Sequence, residues 1–373
     1  MSAKPLDGLR LIELDAMGPV PLAAKILADL GADIVRIARA GVSDRPGSAD
    51  LMANRSVVRL DLKSERARGT ALDLIAAADG LLEGFRPGVM EKLGLGPQSC
   101  LAANSRLVYV RVTGWGQSGP LAPRAGHDLN YIAVTGVLHA IGAANAPPPP
   151  PLNLIGDYGG GAAFAVIGIL AGILRARETG QGQVVDAAMV DGVAALSSAI
   201  HAMLNGGQWR DQPASNMLDG AAPFYRCYAC ADGKHVAVAA LEPEFFALLL
   251  DGLGLERTRF VQRDRSGWAE MERVFAETFA RRPRDAWATV FEKIDACVAP
   301  VLSFSEARAY PHNIAREIYA GRLPAAAPRF GNAPFAAEAG GEIEAVEALA
   351  RWSRPPHRDI APANASPIAT SDD

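Results

Sequence analysis

LRLIELDAMGPVPLAAKILADLGADIVRI, residues 9–37, carries three hydrophobic patterns in succession. Leu9–Leu14 is a short apolar run closed by turn residues and reads as a strand. Pro21–Leu30 follows a helical period and stops at Gly31. Asp33–Ile37 is strand-like again. Strand, helix and strand in that order form a βαβ unit. The turn between the first strand and the helix, Asp15–Pro19, holds one glycine and no G-x-G-x-x-G, so nothing here supports a nicotinamide or flavin site.

The alternation continues outward. Val57–Leu60 reads as a strand, Ala67–Ala77 as a helix, Gly80–Glu83 as a strand, Val89–Leu93 as a short helix and Leu107–Val112 as a strong strand. Such a series specifies an α/β fold with a mainly parallel sheet. Five prolines, Pro147–Pro151, can join neither a helix nor an interior strand. An apolar helix is expected from near Gly159. Its most apolar part, Gly161–Leu174, is short for a bilayer and reads as a buried helix. Strand-like Gln183–Val185 precedes a second helix over Asp186–Leu204.

The composition then shifts. Residues 206–222 are polar and turn-rich, as in an interdomain linker. Tyr225–Ala229 and His235–Ala239 flank the turn Asp232-Gly233 as a hairpin, and helical patterns follow at 243–253, 267–280 and 284–294. That makes a smaller α+β unit. The last fifteen or so residues are expected to be irregular. The 373 residues, 49% hydrophobic and 21% charged, suit a two-domain globular protein. A net charge of −4 argues against a nucleic-acid partner. Four cysteines make no disulfide framework, and the amino terminus lacks the apolar core of a signal peptide, so a cytoplasmic location is expected, with no membrane and no peroxisomal address at the carboxyl end.

Two proton-transfer groups stand on separate loops, His127 in AGHDLNY and Asp157 in NLIGDYGGGA. An acid and a base on either side of a pocket suit a reaction in which a proton leaves one face of a carbon and returns to the other. Each residue also has a plain reading. Asp157 could simply cap the apolar helix, and a lone histidine on a loop is usually solvated or hydrogen-bonded. Glu242 reads as the solvated start of the helix at 243, favoured by the dipole. Cys227-x-x-Cys230 has no second pair nearby, so no metal site is expected, and no G-x-S-x-G elbow suggests a hydrolase.

GADIVRI, LDLKS, EGFRPGVMEKLGLG, VRVTGWGQSGP, AGHDLNY, NLIGDYGGGA, GQGQVVDAAMVDG and CADGKHVAV are co-ordered from about residue 7 to about residue 305. In these strings the chain resembles the family III CoA-transferases, and within them the α-methylacyl-CoA racemase branch. The resemblance implies a Rossmann-like large domain over 1–205, a linker over 206–224, a small α+β domain over 225–315 and a segment 316–373 that returns to the large domain. It also implies an interlocked homodimer, with active sites between the large domain of one chain and the small domain of the other.

The implied substrate is a 2-methyl-branched acyl-CoA thioester, with no separate cofactor. By resemblance His127 and Asp157 are the two acid/bases, serving the S and R epimers respectively, and Glu242 orients the histidine across the dimer interface. In the transferases the matching aspartate instead attacks the thioester to form an anhydride, which is the alternative reading. Only the racemase mechanism needs the histidine. Arg39, Leu60, Asp61, Leu62, Lys63, Gly84, Phe85, Arg86 and Lys92 match positions along bound CoA, and Lys92 stands where relatives also carry arginine. Gly126, Asp128, Leu129, Asn130, Tyr131 and Asn153 match positions around the reacting end. Asp128 is expected as a structural partner within its own loop, and Asn153 and Tyr225 as groups that orient Asp157 or line its pocket. A backbone N–H at or just after Asp157 is expected to face the thioester oxygen, with the following glycines admitting the ligand. Met189, Met203 and Met217 are candidates for an adaptable acyl surface, with core packing as the equal alternative.

Overall fold

β1 (Arg10–Leu14), α1 (Pro19–Asp29), β2 (Asp33–Arg39) and β3 (Arg55–Leu60) open the chain. α2 (Glu65–Ala76), β4 (Gly80–Glu83), α3 (Val89–Lys92), α4 (Pro97–Ala103) and β5 (Val108–Thr113) follow, then α5 (Asp128–Val134). A π-helical turn, Leu154–Ala163, runs directly into α6 (Phe164–Thr179), and β6 (Gln183–Ala188) comes next. Beyond it lie α7 (Met189–Leu196), α8 (Ser198–Asn205), β7 (Tyr225–Ala229), β8 (His235–Ala239), α9 (Pro243–Leu253), α10 (Trp268–Phe279), α11 (Arg284–Phe291) and β9 (Val298–Pro300). α12 (Phe304–Ala309), α13 (Pro311–Ala315), the short strands β10 (Tyr319–Ala320) and β11 (Leu323–Pro324), and α14 (Ala345–Ser353) complete the order. The computed structural model describes residues 4–43, 52–321, 323–330 and 340–353, and the tail expected to be irregular lies outside them.

The described residues divide into two compact units, one drawn from Met1–Arg111, Ala165–Val185 and Ala326–Asp373, the other from Val112–Phe164 and Asp186–Ala325. This division does not fall at 206–224. Residues 112–164 and 186–205 group with the second unit because α5, the π-helical turn and α7 pack on one another.

The sheet runs in the order β3-β2-β1-β4-β5-β6. Pairs β1–β2, β1–β4, β2–β3 and β4–β5 are parallel. The strand order reverses between β1 and β4, which makes this a doubly wound sheet whose ligand-binding edge is the carboxyl end of the strands. α1 starts on Pro19, whose fixed φ suits a first helical position. α2 is capped by Ser64, whose hydroxyl accepts the Ala67 N–H at 3.2 Å. Ile12, Leu14, Leu81 and Tyr109 bury one sheet face against Leu74 and Ile75 of α2 and Trp352 of α14. The segment before α14 docks on β3: Val57 N–H donates to the Gly341 carbonyl, and Val57 accepts from Ile343 N–H, both at 2.9 Å. Trp352 Nε1 and Arg351 Nη2 each reach Asp33, at 2.8 and 2.7 Å.

Two helical expectations are corrected. The apolar helix begins at Leu154, so Leu154–Thr179 is 26 residues long, and its most apolar 18-residue stretch has a mean hydropathy of 1.7. By length and composition alone it could cross a bilayer, contrary to the shorter reading. Its small residues instead pack on the sheet, Gly168 against Val185 and Gly172 against Val108. The single helix expected over Asp186–Leu204 is in fact an extension of β6 to Ala188 followed by two helices. They part at Ser197, whose hydroxyl donates to the Ala194 carbonyl at 2.8 Å and competes with the helical ladder.

In the second unit, β7, β8 and β9 form an antiparallel sheet in that order. β9 was not apparent from the sequence because a three-residue strand has no measurable period. Phe224, Tyr228, Phe246, Phe275, Phe279 and Trp287 fill the core beneath it. Tyr228 stacks on Phe279 at 5.1 Å, and Trp287 meets Phe279 edge-on at 5.2 Å.

The π-helical turn lies on α7 through two glycines. A Cβ added to Gly192 would stand 2.0 Å from the Gly160 carbonyl oxygen, inside any tolerable contact. Gly192→Ala must therefore push the two segments apart, at an expected cost of about 1–3 kcal/mol. A thermal melt should show the loss as a clear fall in Tm. An unchanged Tm would mean that the two backbones do not approach this closely.

Candidate active site

The loop after β5 and the turn before α6 carry the two candidate proton-transfer groups, His127 and Asp157. His127 occupies the N-cap position of α5, and the Asn130 side-chain oxygen accepts its backbone N–H at 3.1 Å. Tyr131, one turn on, donates its hydroxyl to the Gly126 carbonyl and meets the Trp115 ring edge-on at 4.8 Å. The backbone on either side of His127 is thereby pinned, while its imidazole is exposed. Leu129 and Asn130 are exposed beside it.

Asp157 lies in the first π-helical turn, and Asn153, not Asp157, stands at the N-cap position. The plain capping reading of Asp157 is therefore excluded. Its carboxylate accepts Asn153 Nδ2 at 3.3 Å. Burial pushes this carboxyl above the ordinary aspartate range. The Asn153 hydrogen bond opposes that shift, the Asp128 charge adds to it, and His127 is near enough to pull it back down.

Asp128, expected as a partner within its own loop, bonds instead to the other one. It is buried, and its Oδ2 accepts the backbone N–H of Asp157 at 2.7 Å. Gly156 makes room for this contact, since a Cβ there would meet Asp128 Oδ2 at 2.6 Å. The N–H of Asp157 itself is thus occupied, which leaves only the amides just after it among those expected to face a ligand. Gly159 and Gly160 likewise do not open space for one. Gly160 faces Met189 and Val193, and Gly159 approaches Leu196, so both serve helix packing.

Glu242 stands exposed at the N-cap position of α9. Among the described residues no hydrogen bond joins it to His127. Tyr225 packs on the aromatic core of β7–β9, as does Met217. Met189 is buried and Met203 half-buried, so core packing accounts for Met189 and Met217. Cys227 and Cys230 are free thiols, one exposed and one buried.

In the other unit the candidate ligand positions gather at the carboxyl ends of β2, β3 and β4. Arg39 ends β2 opposite Leu60, which ends β3. Asp61, Leu62 and Lys63 follow, turned by a bond from Lys63 N–H to Asp61 Oδ1 at 3.2 Å. Gly84, Phe85 and Arg86 follow β4, and Lys92 ends α3. Arg39, Lys63, Arg86 and Lys92 are all exposed, and among the described residues none of their side chains has an ion-pair partner. Unneutralised cations along a ligand-binding sheet edge suit a polyanion such as a phosphorylated nucleotide.

Residues 6–338 match the family described as CoA-transferase family III. The chain is 44% identical to the α-methylacyl-CoA racemase of Mus musculus, over 83% of this chain and 80% of that one. It is 43% identical to the α-methylacyl-CoA racemase of Homo sapiens, with the same coverage of each chain. The fold is similar to that of a CaiB/BaiF family protein from Brucella suis, with a TM-score of 0.78, 23% identity and coverage of 94% of this chain and 99% of that one. With the doubly wound sheet, the cationic strand edge and the paired acid/base loops in place, the match over most of its length means that the chain belongs to CoA-transferase family III.

Proposed function

We propose that this enzyme is an α-methylacyl-CoA racemase, interconverting the (R) and (S) forms of 2-methylacyl-CoA thioesters. The carrying observation is that α5 and the π-helical turn hold His127 and Asp157 together, where a transferase would need the carboxylate alone. One group removes the α-proton, the electron pair moves into an enolate, and the other group returns a proton to the opposite face. No net oxidation or hydrolysis occurs. Developing enolate charge is favoured near helix amino termini, which both segments supply. Asn153 orients the Asp157 carboxyl, and burial leaves that group more basic than an exposed aspartate. Arg39, Lys63, Arg86 and Lys92 bind the phosphates of CoA in this reading. The exposed Glu242, unbonded to His127 within its own chain, fits a role in orienting the histidine of a second copy in an interlocked homodimer.

Incubating one epimer of a 2-methylacyl-CoA in D2O without a second acid should place deuterium at the α-carbon and erode optical purity. CoA transfer to an added acid with no exchange would instead identify Asp157 as a nucleophile. His127→Ala should reduce exchange by roughly 10²–10⁴-fold, more from one epimer than from the other. Equal loss from both would contradict two distinct bases.

The rate in the direction that uses Asp157 as base should fall as pH drops through its raised pKa. Asn153→Ala removes an interaction that lowers that pKa, so the acidic limb should move to higher pH. Asp128→Asn removes a like charge and should move it lower. Both shifts are read from pH–rate profiles, and shifts of the opposite sign would refute the assignment. The same raised pKa bears on stability. Asp157 contributes fully below the ordinary aspartate value, and that contribution is lost as pH rises through the folded value. Asp157→Asn should therefore match or exceed the parent Tm at neutral pH while exchange is lost. A large fall in Tm would show the carboxylate to be structural.

A further inference from the structure

Two opposite charges stand in register on neighbouring strands, Glu83 at the end of β4 beside Arg111 of β5. Glu83 is 0% exposed and Arg111 7%. Arg111 Nε donates to Glu83 Oε1 at 3.0 Å, while Nη1 and Nη2 donate to the two oxygens of Glu91 at 2.8 and 3.3 Å. The other oxygen of Glu83 accepts the Phe85 N–H at 2.7 Å. Beneath this fork the Tyr109 hydroxyl donates to the Leu95 carbonyl at 3.0 Å, tying the turn after α3 to β5.

The sequence neighbours of these contacts give them meaning. Phe85 immediately precedes Arg86, and Glu91 immediately precedes Lys92. One guanidinium therefore sets both segments that present cations beyond β4. Burying an ion pair costs desolvation that its attraction seldom repays, so packing alone gives no reason to place charges here. What a planar fork on two carboxylates adds is fixed geometry.

We infer that Arg111 is a positioning residue for binding the phosphorylated nucleotide half of CoA, acting through Glu83 on Arg86 and through Glu91 on Lys92 without touching substrate. The inference rests on the acyl-CoA reading above. It concerns the nucleotide end of the substrate, remote from the proton transfers in chemistry, and so predicts an effect on KM and little on kcat.

The test uses the full-length protein with Arg111→Lys and Glu91→Gln, and two substrates. One is a 2-methylacyl-CoA, and the other is the corresponding acyl-pantetheine, which lacks the nucleotide. For the CoA thioester, Arg111→Lys should raise KM about tenfold and leave kcat near the parent value. Calorimetric titration with free CoA should weaken by a similar factor. For the acyl-pantetheine, kcat/KM should equal that of the parent protein. A purely structural Arg111 would depress both substrates together and lower kcat, which would overturn the inference. Should Arg111→Lys fail to fold, Glu91→Gln decides. Its carboxylate is half exposed, and a KM for the CoA thioester unchanged in this variant would also overturn the inference. A parent protein that neither binds CoA nor exchanges the α-proton refutes the acyl-CoA reading and the inference with it. A parent protein that does both, with insensitive variants, refutes the positioning role alone.

Discussion

The Asp157 N–H and the buried Asp128 carboxylate, 2.7 Å apart, form the bond on which the candidate site depends. The first N–H groups of a helix have no intrahelical acceptor, and a π-helical start leaves more of them than an α-helical one. Buried without a partner, such a group is costly. Asp128, at the first position of α5, supplies an acceptor and places one negative charge near two positive helix ends. The same charge raises the Asp157 carboxyl. One contact thus ties the two loops together and adds to the shift that burial gives the Asp157 carboxyl.

How the sheet is built follows from local periodicity, which is why it was legible in the residues. β4 and the hairpin β7–β8 occupy the expected residues, and β1, β2, β3 and β5 differ from expectation by at most two residues at either end. What escaped were features decided by packing. No local pattern announces a switch from i→i+4 to i→i+5 bonding. Here the wide turn accompanies the close approach of Gly160 to Gly192, 32 residues away in the chain. The break at Ser197 depends on one hydroxyl folding back on its own helix. Likewise the grouping of 112–164 with later residues reflects helix contacts that no composition shift marks.

The site was legible in residue types and much less in partners. His127 and Asp157 stood out as chemistry-bearing residues on loops, and Asn153 as a neighbour able to orient the carboxyl. The reach of Asp128 beyond its own loop has no local sign, because nothing in AGHDLNY indicates an acceptor for a backbone amide 29 positions later. Nothing in the sequence singles out Glu83, Arg111 and Glu91, since their pairing depends on strand register. Long-range hydrogen bonds carry most of the site's geometry, and a linear pattern contains little information about them.

Ion pairing and proton transfer make opposite demands on a carboxylate. Glu306 is held well below the usual glutamate range, with hydrogen bonds from Arg284 the largest cause, and Glu91 is lowered with the help of its bond from Arg111. Such groups are fixed in place and weakly basic. A catalytic base needs fixed geometry without that loss of basicity. Asp157 is oriented by a neutral amide, flanked by a like charge and partly withdrawn from water, and among the described residues it has no arginine or lysine partner. An arginine in place of Asn153 would hold the carboxylate more tightly and make it a poorer base. The neutrality of position 153 is therefore as much a condition of the proposed chemistry as the carboxylate it orients.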